Sequence, residues 1–219
     1  NLIIHSVGLI SFTFFFRNLK LNKDYILLII LIFFLSSSLL ILKNHDDFSN
    51  YHLTYALGLT ENKIQLGLGN ISYGLKNYSS LFYLNSLIFL PYVKFYLFHS
   101  IGLITLVFVN FICLSFLLNK KEFSNFNYIY IFYLLVFAYI NVKFYRIGAY
   151  GTDIAAQLIV LIIIPLTLLI AVKNNFNKSE FKCSIQLLIL FICYLITVKT
   201  YFIVYSLFLF LILILYYKN

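Results

Sequence analysis

Apolar residues run through this chain in long unbroken stretches, punctuated by short polar connectors. A helix needs roughly 20 apolar residues to cross the hydrocarbon core of a bilayer, and runs approaching that length recur along the whole chain. They place spans at about Leu2–Phe16, Tyr25–Leu42, Leu97–Leu118, Asn127–Val142, Ile154–Val172, Cys183–Val198 and Tyr201–Tyr217. The segment Leu81–Tyr96 is also apolar, but Asn85, Pro91 and Lys94 interrupt it. Proline biases the residue before it away from helix, so a break near Leu90 is expected and the segment reads as an interfacial or re-entrant helix. A β-barrel is disfavoured, since barrel strands alternate apolar and polar positions over about ten residues. The expected fold class is all-α: a polytopic transmembrane helical protein of about seven spans plus one interfacial or re-entrant helix, in a single integral-membrane domain over residues 1–219.

Composition agrees. Hydrophobic residues make up 63% of the chain and charged ones 11%, whereas soluble domains average about 25% charged. The mean hydropathy is +0.96. A net charge of +9 raises the question of nucleic acid, but the lysines sit in short loops, as the positive-inside rule requires, and form no run with interleaved aromatics. The basic loops Arg17–Lys23, Lys120-Lys121 and Lys173–Lys182 are assigned to the cytoplasm. The Asn44–Ser80 loop, the Lys143–Asp153 loop and a tight turn at Lys199-Thr200 then face the other side. Counting Leu81–Tyr96 as a full span would break this alternation. Cys113, Cys183 and Cys193 lack metal-ligand spacing and read as buried small hydrophobes. The chain has no methionine, even at position 1, which points to a fragment or a processed chain.

The topology gathers Asp46, Asp47, His52, Arg146, Asp153 and Lys199 on one non-cytoplasmic face, where several helix ends and a long loop can converge on a polar cavity. Charge in the hydrocarbon is expensive, so membrane proteins keep reactive groups at such surfaces. The polar island between Asn44 and Ser80, within an external segment at 44–96 that carries amphipathic helices, holds three of the seven acidic residues. Phe48, Tyr51, His52 and Tyr55 follow at the spacing of one helix face. Asp47 either caps that helix, or Asp46 and Asp47 form a carboxylate site that takes a proton from an acceptor hydroxyl. His45, Asp46, Asp47 and His52 match no zinc signature, and a divalent cation held by carboxylate oxygen suits them better. Gly67-Leu68-Gly69-Asn70 lacks the third glycine of a dinucleotide fingerprint, and its glycines read as turn-formers. Ser79-Ser80 suits a helix cap. Arg146 is one of two arginines, and its guanidinium suits a phosphate or an ion pair with Asp153. Lys199 marks a turn or reaches toward an anion, and Ser36-Ser37-Ser38 and Asn110 read as interhelical hydrogen-bonding groups.

Asp46-Asp47-Phe48-Ser49-Asn50-Tyr51-His52 in a long external loop after a span, with Gly67-Leu68-Gly69-Asn70 and Ser79 to Ser86, resembles the GT-C superfamily of integral-membrane glycosyltransferases. Protein O-mannosyltransferases and lipid A aminoarabinose transferases belong to that superfamily. The same stretches, with Arg146-Ile147 and Gly151-Thr152-Asp153, look like uncharacterised bacterial multi-spanning proteins allied to it. The resemblance implies a protein of the bacterial inner membrane that moves a sugar from a polyprenyl-phosphate donor to an acceptor on the far side. Asp46 or Asp47 would be the general base or metal ligand. Arg146 or Lys199 would meet the carrier phosphate, with His52 and Asp153 beside the substrate. A transporter or flippase for a lipid-linked or anionic solute is the alternative, and a non-catalytic membrane subunit is a third.

Overall fold

The computed structural model describes residues 2–17, 23–37, 48–62, 67–70, 73–76, 79–94, 96, 98–118, 127–143, 152–172 and 178–218. Asp46, Asp47 and Arg146 lie outside them. The described residues are helical, apart from turns and one isolated bridge between Leu90 and Lys94. In chain order the helices are α1 (Leu2–Arg17), α2 (Lys23–Ser36), α3 (Leu53–Glu61), α4 (Ser80–Ile88), α5 (His99–Leu118), α6 (Asn127–Lys143), α7 (Thr152–Val172), α8 (Lys178–Val198) and α9 (Leu207–Lys218).

Three of these are long and apolar enough to cross a membrane: α5 over Ile101–Leu118, α7 over its whole length, and α8 over Phe181–Val198. The remaining apolar helices are shorter among the described residues, and part of the Tyr25–Leu42 run lies outside them. Exposed large apolar side chains cover α1, α2 and α6, including Phe12, Phe33, Phe34 and Leu135. In water such surface would be a severe liability, whereas lipid tails solvate it at no loss. The chain is a helical membrane protein.

The described residues form two compact units, one up to Val107 and the other from Phe108 onward. In the first, a π-helical turn at Phe48–His52 leads into α3, which packs on α4. Tyr55 and Ala56 of α3 and Leu81 and Phe82 of α4 are buried between them. Ser79 caps α4 through its hydroxyl, which accepts from the Leu81 N–H at 3.3 Å. The helix stops after nine residues, about half of what a crossing requires, and the chain turns around Pro91. Between α3 and α4, Gly67 takes a left-handed φ of 84° and its carbonyl accepts from Asn70 N–H. A Cβ at Gly69 would come within 2.8 Å of Lys76 Cγ and 3.3 Å of Lys76 Cα, so only glycine allows those two turns to touch.

In the second unit α7 is the central element, packing against α6, α8 and α9. Its buried face runs from Thr152 to Ile170 and includes Pro165, whose missing N–H leaves one helix carbonyl without its usual donor. The lower half of α5 meets α6 through a stacked Phe116–Tyr133 pair, 4.1 Å between centroids. The same pair is joined by a hydrogen bond of 2.6 Å from Asn141 Nδ2 to Asn110 Oδ1. Residue numbers that rise on one helix as they fall on the other make the pair antiparallel.

Two expectations are corrected here. Asn110 does bond across helices, but the Ser36 and Ser37 hydroxyls donate to the Phe33 and Phe34 carbonyls of the preceding turn, each at 2.7 Å, and Ser38 lies outside the described residues. A short hydroxyl side chain reaches its own preceding turn more readily than a neighbouring helix. Of the cysteines, Cys113 alone is buried. Cys183 and Cys193 lie on exposed positions of α8, where an apolar thiol is equally at home against lipid.

Candidate functional site

Two places in the described structure gather polar side chains of the kind that carry chemistry, one in each unit. In the first unit the face set by Tyr51, His52 and Tyr55 is turned inward. His52 is buried, with its ring 4.3 Å from that of Tyr51 and 5.2 Å from that of Phe82. Tyr55 approaches the same Phe82 ring at 5.2 Å. The imidazole is thereby held in a fixed orientation by aromatic neighbours. One turn along α4 from Phe82 lies Asn85, fully buried, and neither its Nδ2 nor its Oδ1 has a hydrogen-bond partner among the described residues. An amide buried in that way is destabilising by about 1–3 kcal/mol. In the sequence Asn85 registered only as an interruption of an apolar run.

In the second unit the site is ionic. Asp153 occupies the first turn of α7, where a carboxylate is favoured by the helix dipole. The Lys199 ammonium donates to Asp153 Oδ1 and forms an ion pair with it. Tyr201 donates its hydroxyl to the same oxygen at 3.4 Å, and the ammonium lies 5.3 Å from the centre of the Tyr201 ring. Lys199 is 21% exposed and Asp153 52%, so the pair is reachable from outside the protein. The packing of α7 on α8 makes the meeting possible: α7 begins and α8 ends at the same place.

Of the residues singled out from the sequence, the structure therefore brings Asp153 and Lys199 together. Asp153 has Lys199 as its ion-pair partner, while the alternative partner, Arg146, lies outside the described residues. His52 belongs to the other unit. His45, Asp46 and Asp47 also lie outside the described residues, and among those described no three His, Cys, Asp or Glu side chains gather as a metal site. Tyr201 was missed. Its signal, an aromatic hydroxyl two residues past a lysine that breaks an apolar run, is a weak one in a chain with 19 tyrosines.

Comparison with protein families, curated proteins and solved structures finds no match to this chain.

Proposed function

We propose that the protein is a membrane glycosyltransferase of the GT-C kind, taking a sugar from a polyprenyl-phosphate donor at one membrane face. One observation carries the reading: acidic and basic side chains lie at the ends of the three spanning helices and not in their interiors, with Asp153, Lys199 and Tyr201 gathered at one such end. Chemistry on a lipid-linked donor belongs at that depth, because the phosphate of such a lipid lies at the hydrocarbon boundary. In the proposed reaction an acceptor hydroxyl attacks the anomeric carbon. Asp46 or Asp47 takes the hydroxyl proton, and the bond to the carrier phosphate breaks with its electron pair going to the phosphate oxygen. Lys199 and Arg146 are the cations to neutralise that oxygen, and Asp153 orients Lys199 until the phosphate competes for it. The two ends of the topology, about seven spans and an external Asn44–Ser80 loop at a bacterial inner membrane, belong to the same proposal.

A flippase is the second reading. Transporters bind anionic cargo where helices are discontinuous, and α8 is separated from α9 by an extended Lys199 and a non-α segment.

The test uses membranes from cells expressing the complete gene, supplied with labelled polyprenyl-phosphate sugars. Transfer of label to an acceptor, lost in Asp46→Asn/Asp47→Asn at unchanged protein level, is the expected result. Label that crosses the membrane still attached to its carrier, in a protein-dependent way, would replace the enzyme by the flippase.

A further inference from the structure

Between α8 and α9 the seven residues Thr200–Ser206 form a 3₁₀-helix. Runs longer than about 3–4 residues are uncommon, because the hydrogen bonds are poorly aligned and side chains three apart eclipse. The local sequence does not demand it. Thr200-Tyr201-Phe202-Ile203-Val204-Tyr205-Ser206 contains no glycine or proline, and α-helix flanks it closely on both sides. Tertiary contacts instead gather at its start and along one side. At its start Lys199 is extended (φ −154°, ψ 118°), and its ammonium is tied to Asp153 of α7. Tyr201 is tied to the same carboxylate, and the first 3₁₀ bond runs from Phe202 N–H to the Lys199 carbonyl at 3.1 Å. Phe202 is buried, and the three-residue period aligns Phe202, Tyr205 and Phe208, with 5.7 Å between successive ring centres.

From this we infer that Thr200–Ser206 is a two-state segment, held as a 3₁₀-helix by the Asp153–Lys199 ion pair and released into α-helix when the pair is broken. Relative to an α-helix, 3₁₀ winding rises about 0.5 Å more and turns about 20° more per residue. Over this segment the conversion draws α9 in by about 3–4 Å and turns it by about 140°. In water such a turn would expose a buried stripe. Here α9 is apolar all the way round through Ile214: Leu207, Phe210, Leu211, Leu213 and Ile214 are already exposed, and Ile212 is buried. Lipid accepts either face equally, so the hydrophobic effect does not oppose the rotation. The latch is reachable, and an anion that takes the ammonium from Asp153 shifts the equilibrium by its preference for the released state. The inference does not depend on glycosyl transfer.

The test places spin labels at Leu190→Cys on α8 and Ile214→Cys on α9, both exposed, in the full chain reconstituted in nanodiscs with its native cysteines replaced by alanine. Pulsed dipolar distances should show one population. Asp153→Asn should add a second, displaced by about 3 Å or more, and the exchange Asp153→Lys/Lys199→Asp should restore the first. Val204→Ala raises α-helix propensity at an exposed position without touching the latch, and should enrich the same second population. An unchanged distribution in both Asp153→Asn and Val204→Ala overturns the inference. If the Asp153→Asn protein does not fold, an unchanged distribution in Val204→Ala alone does so.

Discussion

Asp153 and Lys199 stand 46 residues apart in the chain and meet at one carboxylate oxygen. Half of the Asp153 side chain is exposed, so water and salt screen the pair, and its contribution to stability is at most about 1 kcal/mol. Asp153→Asn should therefore lower the denaturation midpoint in detergent only slightly, with the larger effect on the Thr200–Ser206 backbone. Asn110 and Asn141 are a contrasting case, the first fully buried and the second half-buried, bonded to each other at 2.6 Å. A double-mutant cycle with leucine at each position should return a coupling of about 0.6 kcal/mol, the average for hydrogen bonds between membrane helices. A coupling near zero would make the contact incidental to the packing of α5 and α6. Gly67 is constrained by backbone alone: Gly67→Ala places a Cβ at positive φ and should destabilise by about 1 kcal/mol in the same assay.

Among the elements, α4 is where local sequence and structure agree most closely. A serine cap, an apolar stretch and a proline downstream predict a short helix with a defined start and stop, and Ser79 and Ile88 are its observed limits. Ser79→Ala should destabilise the protein by about 1 kcal/mol through loss of the cap. With nine residues α4 is shorter than a crossing requires, so a membrane-impermeant maleimide should label cysteines at Thr54 and Tyr92, both exposed, from the same side of intact cells or spheroplasts. Labelling from opposite sides would make the segment a span. The amphipathic face ahead of it was also legible, since Tyr51, His52 and Tyr55 recur at helical spacing, with His52 and Tyr55 buried and Tyr51 half-buried. That this face opens with a π-turn was not, because nothing in Phe48-Ser49-Asn50-Tyr51-His52 distinguishes it from an ordinary α-helical start.

At the scale of the whole molecule, the packing of α7 on α8 puts Asp153 and Lys199 at one end and the last turn of α7 and the first turn of α8 at the other. Cysteines at Thr200 and Val172, both exposed, should accordingly be accessible from opposite sides of the membrane, with Val172 on the cytoplasmic side that the neighbouring lysines predict. Membrane class and helical fold were determined by the sequence alone, because about 20 consecutive apolar residues have one stable arrangement in lipid, with every backbone group bonded within the segment; of the seven runs read as spans, α5, α7 and α8 are long and apolar enough to cross among the described residues. The candidate site was legible in part: Asp153 and Lys199 stood out as charges at the ends of apolar runs. Their pairing, and the part Tyr201 takes in it, was decided only by the tertiary structure. Hydropathy fixes how deep a residue lies, but lipid is indifferent to which way a helix turns. Partners across helices are therefore chosen by side-chain packing and by polar groups that must find one another.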